Sequence, residues 1–304
     1  MKIKSYLSVL IITTAGNCFS QKVADTAYIG KYDQKMSAMV FLSRNSVEIE
    51  QNDKTYKPNN PLKVGIGFSL RNTVLNLSYG WAIPEVSNKE YGRTKSMDFQ
   101  LHHYGRSFVL DLFFQKYKGF YNEEPTVELY SNTSVQAIGA EGTYLFKGDK
   151  FSAKAAFQQS EKQLKSAGSF VIGSGIYFYK IRDIQEMFPW DSNQINNFQF
   201  GGSAGYAYSW VINEHWLLSG IGTAGINLGN ETKLLEEGKV NAYPTFFGRG
   251  SAGYHKNDWA VTFSFLIHNK SMHFTEDNSL NVNSLNMQIT FVKHFDNPFK
   301  KKKQ

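Results

Sequence analysis

The sequence is short of several things, and each shortage excludes something. It holds one cysteine, Cys18, in 304 residues. A disulfide framework and a thiolate metal site are therefore excluded as organisers of the fold. Past the first twenty residues, no stretch offers the eighteen or so unbroken apolar residues that a helix needs to cross a bilayer. Charge is sparse too, at 19% of residues, and the net charge of +7 is modest. Part of that excess is the terminal run Lys300–Lys303, a solvated tail or a contact for anionic lipid headgroups. With no basic helix and no stacking motif, the sequence gives no nucleic-acid partner. Linkers and low-complexity breaks are missing as well, which argues for one domain after the leader.

The leader itself is MKIKSYLSVLIITTAGNCFSQ. Lys2 and Lys4 make a basic start, Tyr6 to Ala15 a short apolar run, and small Ser20 follows Cys18 two positions on. This pattern predicts a secretory signal peptide over residues 1–20, cleaved before Gln21. Asn17 stands where a lipoprotein signal wants a small residue, which weighs against lipidation of Cys18. Cleavage after Ser20 would leave a mature chain with no cysteine.

What the sequence has in plenty is aromatic side chains, 15%, and glycine, 25 residues. In the stretch Asn197–Ile212, NFQFGGSAGYAYSWVI, every second residue separates two faces. Phe198, Phe200, Gly202, Ala204, Tyr206, Tyr208, Trp210 and Ile212 share one side. Asn197, Gln199, Gly201, Ser203, Gly205, Ala207 and Ser209 share the other. A period of two marks a β-strand, and this one exceeds the usual five or six residues of a soluble sheet. An uncharged aromatic face opposite a small polar one suits lipid on one side and water on the other. The mean hydropathy of -0.38 does not contradict this, because lumen-facing polar residues dilute the apolar ones.

The same pattern recurs along the chain. After a polar lead over 21–35, Met36–Gln51 reads as one long strand or a hairpin turning at Arg44–Asn45. Leu62–Leu70 and Val74–Trp81 form a hairpin about Arg71–Asn72, with Lys63 and Asn76 facing inward. Met97–Tyr104 and Ser107–Lys118 follow, Asp111 inward and Val109 and Phe113 breaking the alternation on its side. Ser134–Phe146 puts Glu141 inward, and Gln136 is an exception on the outer face. The turn Lys147–Asp149 is expected to return the chain through a strand at Phe151–Gln159. Ser169–Lys180 is strand-like, and Lys180–Gln194 reads as a loop with a helical turn. Beyond Asn197–Ile212 come Trp216–Leu228, Tyr243–His255, Asp258–Asn269 and Val282–Phe295. Trp259, Phe263 and Phe265 share an outer face in the penultimate strand. Long loops are expected at Ala82–Ser96, Gly119–Thr133, Gly229–Ala242 and Lys270–Leu280.

Several of these stretches also carry a resemblance. YIGKYDQKMSAMVFLS, YKPNNPLKVGIGFS, LNLSYGW, FVLDLFFQKYKGFY and SAGSF resemble the domain of unknown function family 4421. That resemblance covers the chain from about Tyr28 to the terminal strand. It implies an exported outer-membrane β-barrel of a Gram-negative bacterium, and brings no catalytic residue, cofactor or substrate.

The seven histidines are the first candidates for chemistry. His102 shares strand parity with Asp98 and neighbours inward Asp111. An Asp–His pair could serve as a general base, but no motif places a serine beside it, and inward polar residues are what any wet lumen needs. His268 and His273 near Glu276 and Asp277 match no metal-site spacing. Glu123–Glu124 and Glu236–Glu237 lack a calcium-loop pattern. The glycines of GSGIYF and GGSAGY lead into no helix, so they cradle no phosphate.

The expectation is therefore an all-β fold: a closed antiparallel transmembrane β-barrel of about twelve strands, ten to fourteen, over residues 36–296. Short periplasmic turns, longer extracellular loops and a basic tail at 297–304 complete it. A direct strand count of about thirteen points to an error between Lys150 and Gln194, because both termini in the periplasm need an even number. Lys63, Asn76, Asp111, Glu141, Gln199 and Ser203 are expected in the lumen. Phe198, Phe200, Tyr206, Tyr208, Trp210, Trp259, Phe263 and Phe265 are expected against lipid. The cell outer membrane is the expected location, its lipid and the barrel-assembly machinery the expected partners. No cofactor and no metal are expected, and the ligand is unknown. The function expected is structural, narrow-pore or surface-interaction. Two alternatives stand beside it: a barrel enzyme acting on outer-membrane lipid or peptide at His102 and Asp111, and a soluble periplasmic barrel with an apolar ligand inside.

Overall fold

The computed structural model describes residues 22–34, 36–52, 54–60, 62–70, 77–82, 89–188, 192–273 and 279–296. The expected signal peptide, Asn76, Glu276, Asp277 and the basic tail lie outside the described residues. The strands are β1 (Ile29–Lys31), β2 (Met36–Gln51), β3 (Lys54–Tyr56), β4 (Lys63–Leu70), β5 (Leu77–Ala82), β6 (Lys95–Tyr104), β7 (Phe108–Asn122) and β8 (Glu128–Leu145). They continue as β9 (Glu161–Gln163), β10 (Ala167–Arg182), β11 (Gln194–Val211), β12 (Trp216–Glu231), β13 (Asn241–Lys256), β14 (Trp259–His273) and β15 (Ser279–Phe295). All are antiparallel to their partners.

One large sheet carries the fold. Its strands run β5-β4-β2-β15-β14-β13-β12-β11-β10-β8-β7-β6, with β3 added to β2. Passing over β3 and β9, neighbours in this path are neighbours in the chain, save that β2 pairs with β15. The first and last long strands are thus hydrogen bonded to each other, as in an up-and-down barrel. Past β3, the amide of Lys57 donates to Tyr121 O and that of Tyr121 to Lys57 O. This links β2 and β3 to β7 across the two ends of the path. The sheet curls far enough for Arg249 of β13 to hydrogen bond Tyr104 of β6.

Two faces result from the pleat. On β11, Phe198, Phe200, Tyr206, Tyr208 and Trp210 are exposed on the convex face, whereas Asn197, Gln199, Ala207 and Ser209 are buried on the concave one. Phe263 and Phe265 of β14 are exposed likewise. Trp259 is half-buried, because its ring lies between Tyr254 and Phe291. Val109 and Phe113, which break the alternation of β7, are core residues of the concave side. Phe113 lies over Gly139, where any Cβ would collide with the ring.

The two ends of the sheet differ. The end that holds Met36 and Phe295 carries tight turns after β6, β11 and β13 and one long insertion, residues 146–166. The opposite end carries longer connections, including the 3-10 turn Ile184–Glu186 in the expected loop. The strands reach further into those loops than periodicity indicates: β7 runs to Asn122, β12 to Glu231 and β14 to His273. Outward residues there are polar, as in the row Lys116, Gln136, Lys180. Where the outer face turns polar over a buried apolar inner one, the aromatic-outward alternation by which these strands are read is lost, and Gln136 is no exception there.

One expectation is corrected outright. Phe151–Gln159 is not a strand; Ala153–Phe157 is a short helix, and residues 146–166 fold inward beneath the sheet. Ser152 caps the helix, its Oγ accepting from the Ala155 amide at 3.1 Å and donating to Glu161 Oε2 at 2.6 Å. The three alanines are buried, so a helix, not a pleat, hides them. Residues 22–34 complete this cap: β1 pairs with β9, and the Asp25 amide donates to Asp149 O at 2.9 Å. At Gly148 the backbone passes so close to Arg106 O that a side chain has no room.

Candidate functional site

The concave side holds charge at mid-height. His102, Asp111 and Glu141 are successive cross-strand partners on β6, β7 and β8, so their inward side chains form one row. His102 Nδ1 lies 2.5 Å from Asp111 Oδ1. From the far wall, Arg249 of β13 reaches across: Nη2 donates to Asp111 Oδ1 at 3.1 Å and Nη1 to Tyr104 Oη at 2.9 Å. The guanidinium also lies over the rings of Tyr104, Phe157 and Phe247. Arg249 is 6% exposed. One side chain thus ties opposite walls together.

A second tie lies beside it. Tyr177 Oη donates to Glu141 Oε2 at 2.9 Å, and Lys270 Nζ stands 3.3 Å over the Tyr177 ring. His268 packs between the rings of Tyr177 and Phe247. Gln199 Nε2 donates to Ser271 O at 2.9 Å, joining β11 to β14. Asp98 accepts from Asn45 at 2.8 Å and from Tyr117 at 2.8 Å. It fastens β2 to β6 and β7.

Above and below this polar layer the interior is apolar. Toward the loop end, Val47, Ile49, Tyr56, Tyr117, Tyr179, Ile181 and Phe188 belong to one buried cluster. Toward the termini end, Phe151, Ala153 and Ala156 of the cap pack with Val109, Leu145, Ala207 and Phe247 of the wall. Between them lie a cavity of about 40 Å³ beside His102 and Arg249 and one of about 130 Å³ nearer the cap. A water molecule takes about 30 Å³, so the first has room for about one and the second for several.

Chemically, the His102–Asp111 pair is poorly placed for general-base work. Arg249 occupies the same carboxylate and approaches the same imidazole nitrogen at 3.5 Å. The hydrogen bonds that His102 makes go to Asp111 and Arg249, and neither offers a nucleophilic hydroxyl. Among the described residues no group of three or more His, Cys, Asp or Glu could hold a metal ion. The row is suited to holding walls together: removing one member of a buried ion pair costs about 3–5 kcal/mol because its partner is left uncompensated.

Of the lumen residues expected from sequence, Asp111 and Glu141 meet in this row, and Gln199 is fully buried nearby. Ser203 lies above Gly173 on the same face, and Lys63 is the cross-strand partner of buried Ser43. Sequence reading missed Arg249 and Lys270. Each is a lone cation in an uncharged strand segment, and such a charge must turn inward and find a partner.

Outside the wall, the chemistry is that of loops and cap. At Glu186, burial pushes the carboxyl up, but hydrogen bonds from Asn132 and Thr133 outweigh it and hold it below its ordinary range. In the cap, burial pushes the Tyr32 phenol up to about 12.

These features define an all-β protein: a curled antiparallel sheet with an aromatic exterior, a cross-braced interior and a folded cap. The chain belongs to the family described as Domain of unknown function (DUF4421), whose model matches residues 23–295. No curated protein matches the sequence. Among solved structures, it is similar to the outer membrane protease OmpT from Escherichia coli at 10% identity and a TM-score of 0.35, covering 86% of this chain and 97% of that one. Outer-membrane expressed OmpT of Vibrio cholerae is 8% identical with a TM-score of 0.31, over 91% and 100%. The toluene transporter TodX of Pseudomonas putida is 7% identical with a TM-score of 0.24, over 87% and 91%. Likenesses this low carry neither an activity nor a substrate to this chain.

Proposed function

We propose that the chain is a closed, non-conducting outer-membrane β-barrel with a structural or surface-interaction role. It is exported behind a cleavable signal peptide and inserted by the barrel-assembly machinery. The twelve strands of the main path form the staves, with both termini and the cap in the periplasm and the longer connections outside. Pairing of β2 with β15 and the Lys57–Tyr121 link support closure. Exposed aromatic side chains on the convex face support lipid around it. From Ile138 to Phe146 the outward face of β8 is free of charge, close to the nine to eleven residues a tilted strand needs to cross a bilayer.

One observation carries the non-conducting part of the reading. Apolar clusters fill both ends of the interior, and the ties through Arg249 and Lys270 span the middle. Barrels of about eight strands are filled by side chains, whereas porins of sixteen to eighteen leave a channel. Here twelve strands are filled by side chains and an inserted cap together. Membrane fractionation with heat-modifiable gel mobility tests the placement. The protein should sediment with outer membranes and migrate faster unheated. A folded monomer in plain buffer overturns the reading.

A further inference from the structure

Cap and wall do not meet everywhere at the termini end. A cleft of about 320 Å³ separates Lys162 and Leu164 of the cap from the β11–β12 turn and the end of β13. Its outer lip is Trp216, 45% exposed, the cross-strand partner of Tyr254 on the convex face. Trp216 meets Tyr254 edge-on at 5.2 Å, Tyr254 meets Trp259 at 5.6 Å, and Trp259 meets Phe291 at 6.1 Å. An unbroken aromatic band therefore runs along the rim into the cleft. Such bands sit at the headgroup level of a bilayer.

The inner side of the cleft is basic. Lys162 Nζ stands 4.7 Å over the Tyr32 ring, and Lys256 is exposed at the mouth. His215 and His255 lie between, His215 Nδ1 against His255 O at 3.0 Å. The single carboxylate, Glu214, is 85% exposed, 3.7 Å from His215 Nε2. Two cations thus outnumber one anion that is largely in solvent. Leu164 and Trp216, both well exposed, give the same cleft an apolar lip.

We propose that this cleft binds the phosphodiester headgroup of an anionic glycerophospholipid of the inner leaflet. Lys162 and Lys256 hold the phosphate, and the acyl chains lie along Trp216 and the convex wall. Its volume falls in the range of small-ligand clefts. The inference rests on the membrane placement proposed above, and the experiment separates the two.

The full mature chain is reconstituted in phosphatidylcholine vesicles that carry a minor fraction of brominated phosphatidylglycerol or, separately, brominated phosphatidylcholine. Tryptophan quenching is read, and the Trp216→Phe variant identifies the share due to Trp216. Brominated phosphatidylglycerol should quench Trp216 in excess of the choline lipid. The double variant Lys162→Gln/Lys256→Gln should lose that excess, its preference falling by about thirtyfold, while millimolar inorganic phosphate leaves it intact. Equal quenching by both lipids, an excess that survives the double variant, or one that inorganic phosphate abolishes would each overturn the headgroup site. No quenching by either lipid would instead sink the membrane placement, and with it the site.

Discussion

The two ends of the interior solve one problem in two ways. Toward the loop end the wall fills its own lumen with large side chains: Tyr117 from β7, Tyr179 and Ile181 from β10, Val47 and Ile49 from β2. Toward the termini end the wall offers small ones, Ala207, Ser209, Ser219 and Ser251, all buried. That room is taken by the cap: Ser251 Oγ donates to Ala156 O at 2.7 Å, and Phe151 is fully buried against the wall. The lesson is that a small inward residue marks space for another segment, not an open path. The self-filled end should stand or fall with the barrel, and the capped end should loosen alone.

The largest expected effect lies in the layer that joins the two ends. Arg249→Ala strands Asp111 in the interior and should lower unfolding stability by about 3–5 kcal/mol, read by urea titration of heat-modifiable mobility. A double-mutant cycle with Asp111→Ala should show coupling, since the partner is then no longer left unpaired. Additive losses would mean that the tie bears no weight. Next, Ile49→Ala in the self-filled end should cost about 2–5 kcal/mol in that same global transition. A loss confined to local proteolysis would break the contrast. In the capped end, Ser152→Ala removes the helix cap and should cost about 1 kcal/mol. It should appear as faster protease nicking within residues 146–166, with the global midpoint nearly unchanged.

Smallest is a pH effect in the outer loop. The lowered carboxyl of Glu186 stabilises the loop above the ordinary carboxylate range, and that contribution is lost as pH falls through the lowered value. Amide protection at Asn132 and Thr133, taken against the intrinsic rate at each pH, should therefore fall only in acid, and Glu186→Gln should lower it at neutral pH. Unchanged protection in that variant would remove the carboxylate from the account.

Much of the wall was legible in the sequence because an exposed aromatic face and a buried inner one impose a period of two on the long strands. Asn197–Ile212 shows this most cleanly, and β11 spans nearly those residues. The pattern failed where its cause fails. At the loop end the outward residues turn polar, as Lys116, Gln136 and Lys180 do, while Tyr117, Phe120 and Met272 are buried inside; the aromatic outer face is gone, and the last turns of β7, β12 and β14 read as loop. In FSAKAAFQQ, Phe151, Ala153, Ala155 and Phe157 alternate by chance, and the stretch reads as a strand. The better signal was Ser152 ahead of an alanine-rich run, an N-cap before good helix formers. His102 and Asp111 were legible as inward neighbours, but Arg249 arrives from β13. A period-two reading gives a residue's face and not the distant strand it meets across a curled sheet.

The central claim is that the interior is filled. Planar-bilayer recording of the full mature chain tests it most directly, alongside a variant whose cap residues 148–163 are replaced by a short glycine linker. The account predicts no stable channels from either, because the self-filled end and the Arg249 tie remain when the cap is gone. Large, long-lived conductance steps from the intact chain would contradict it.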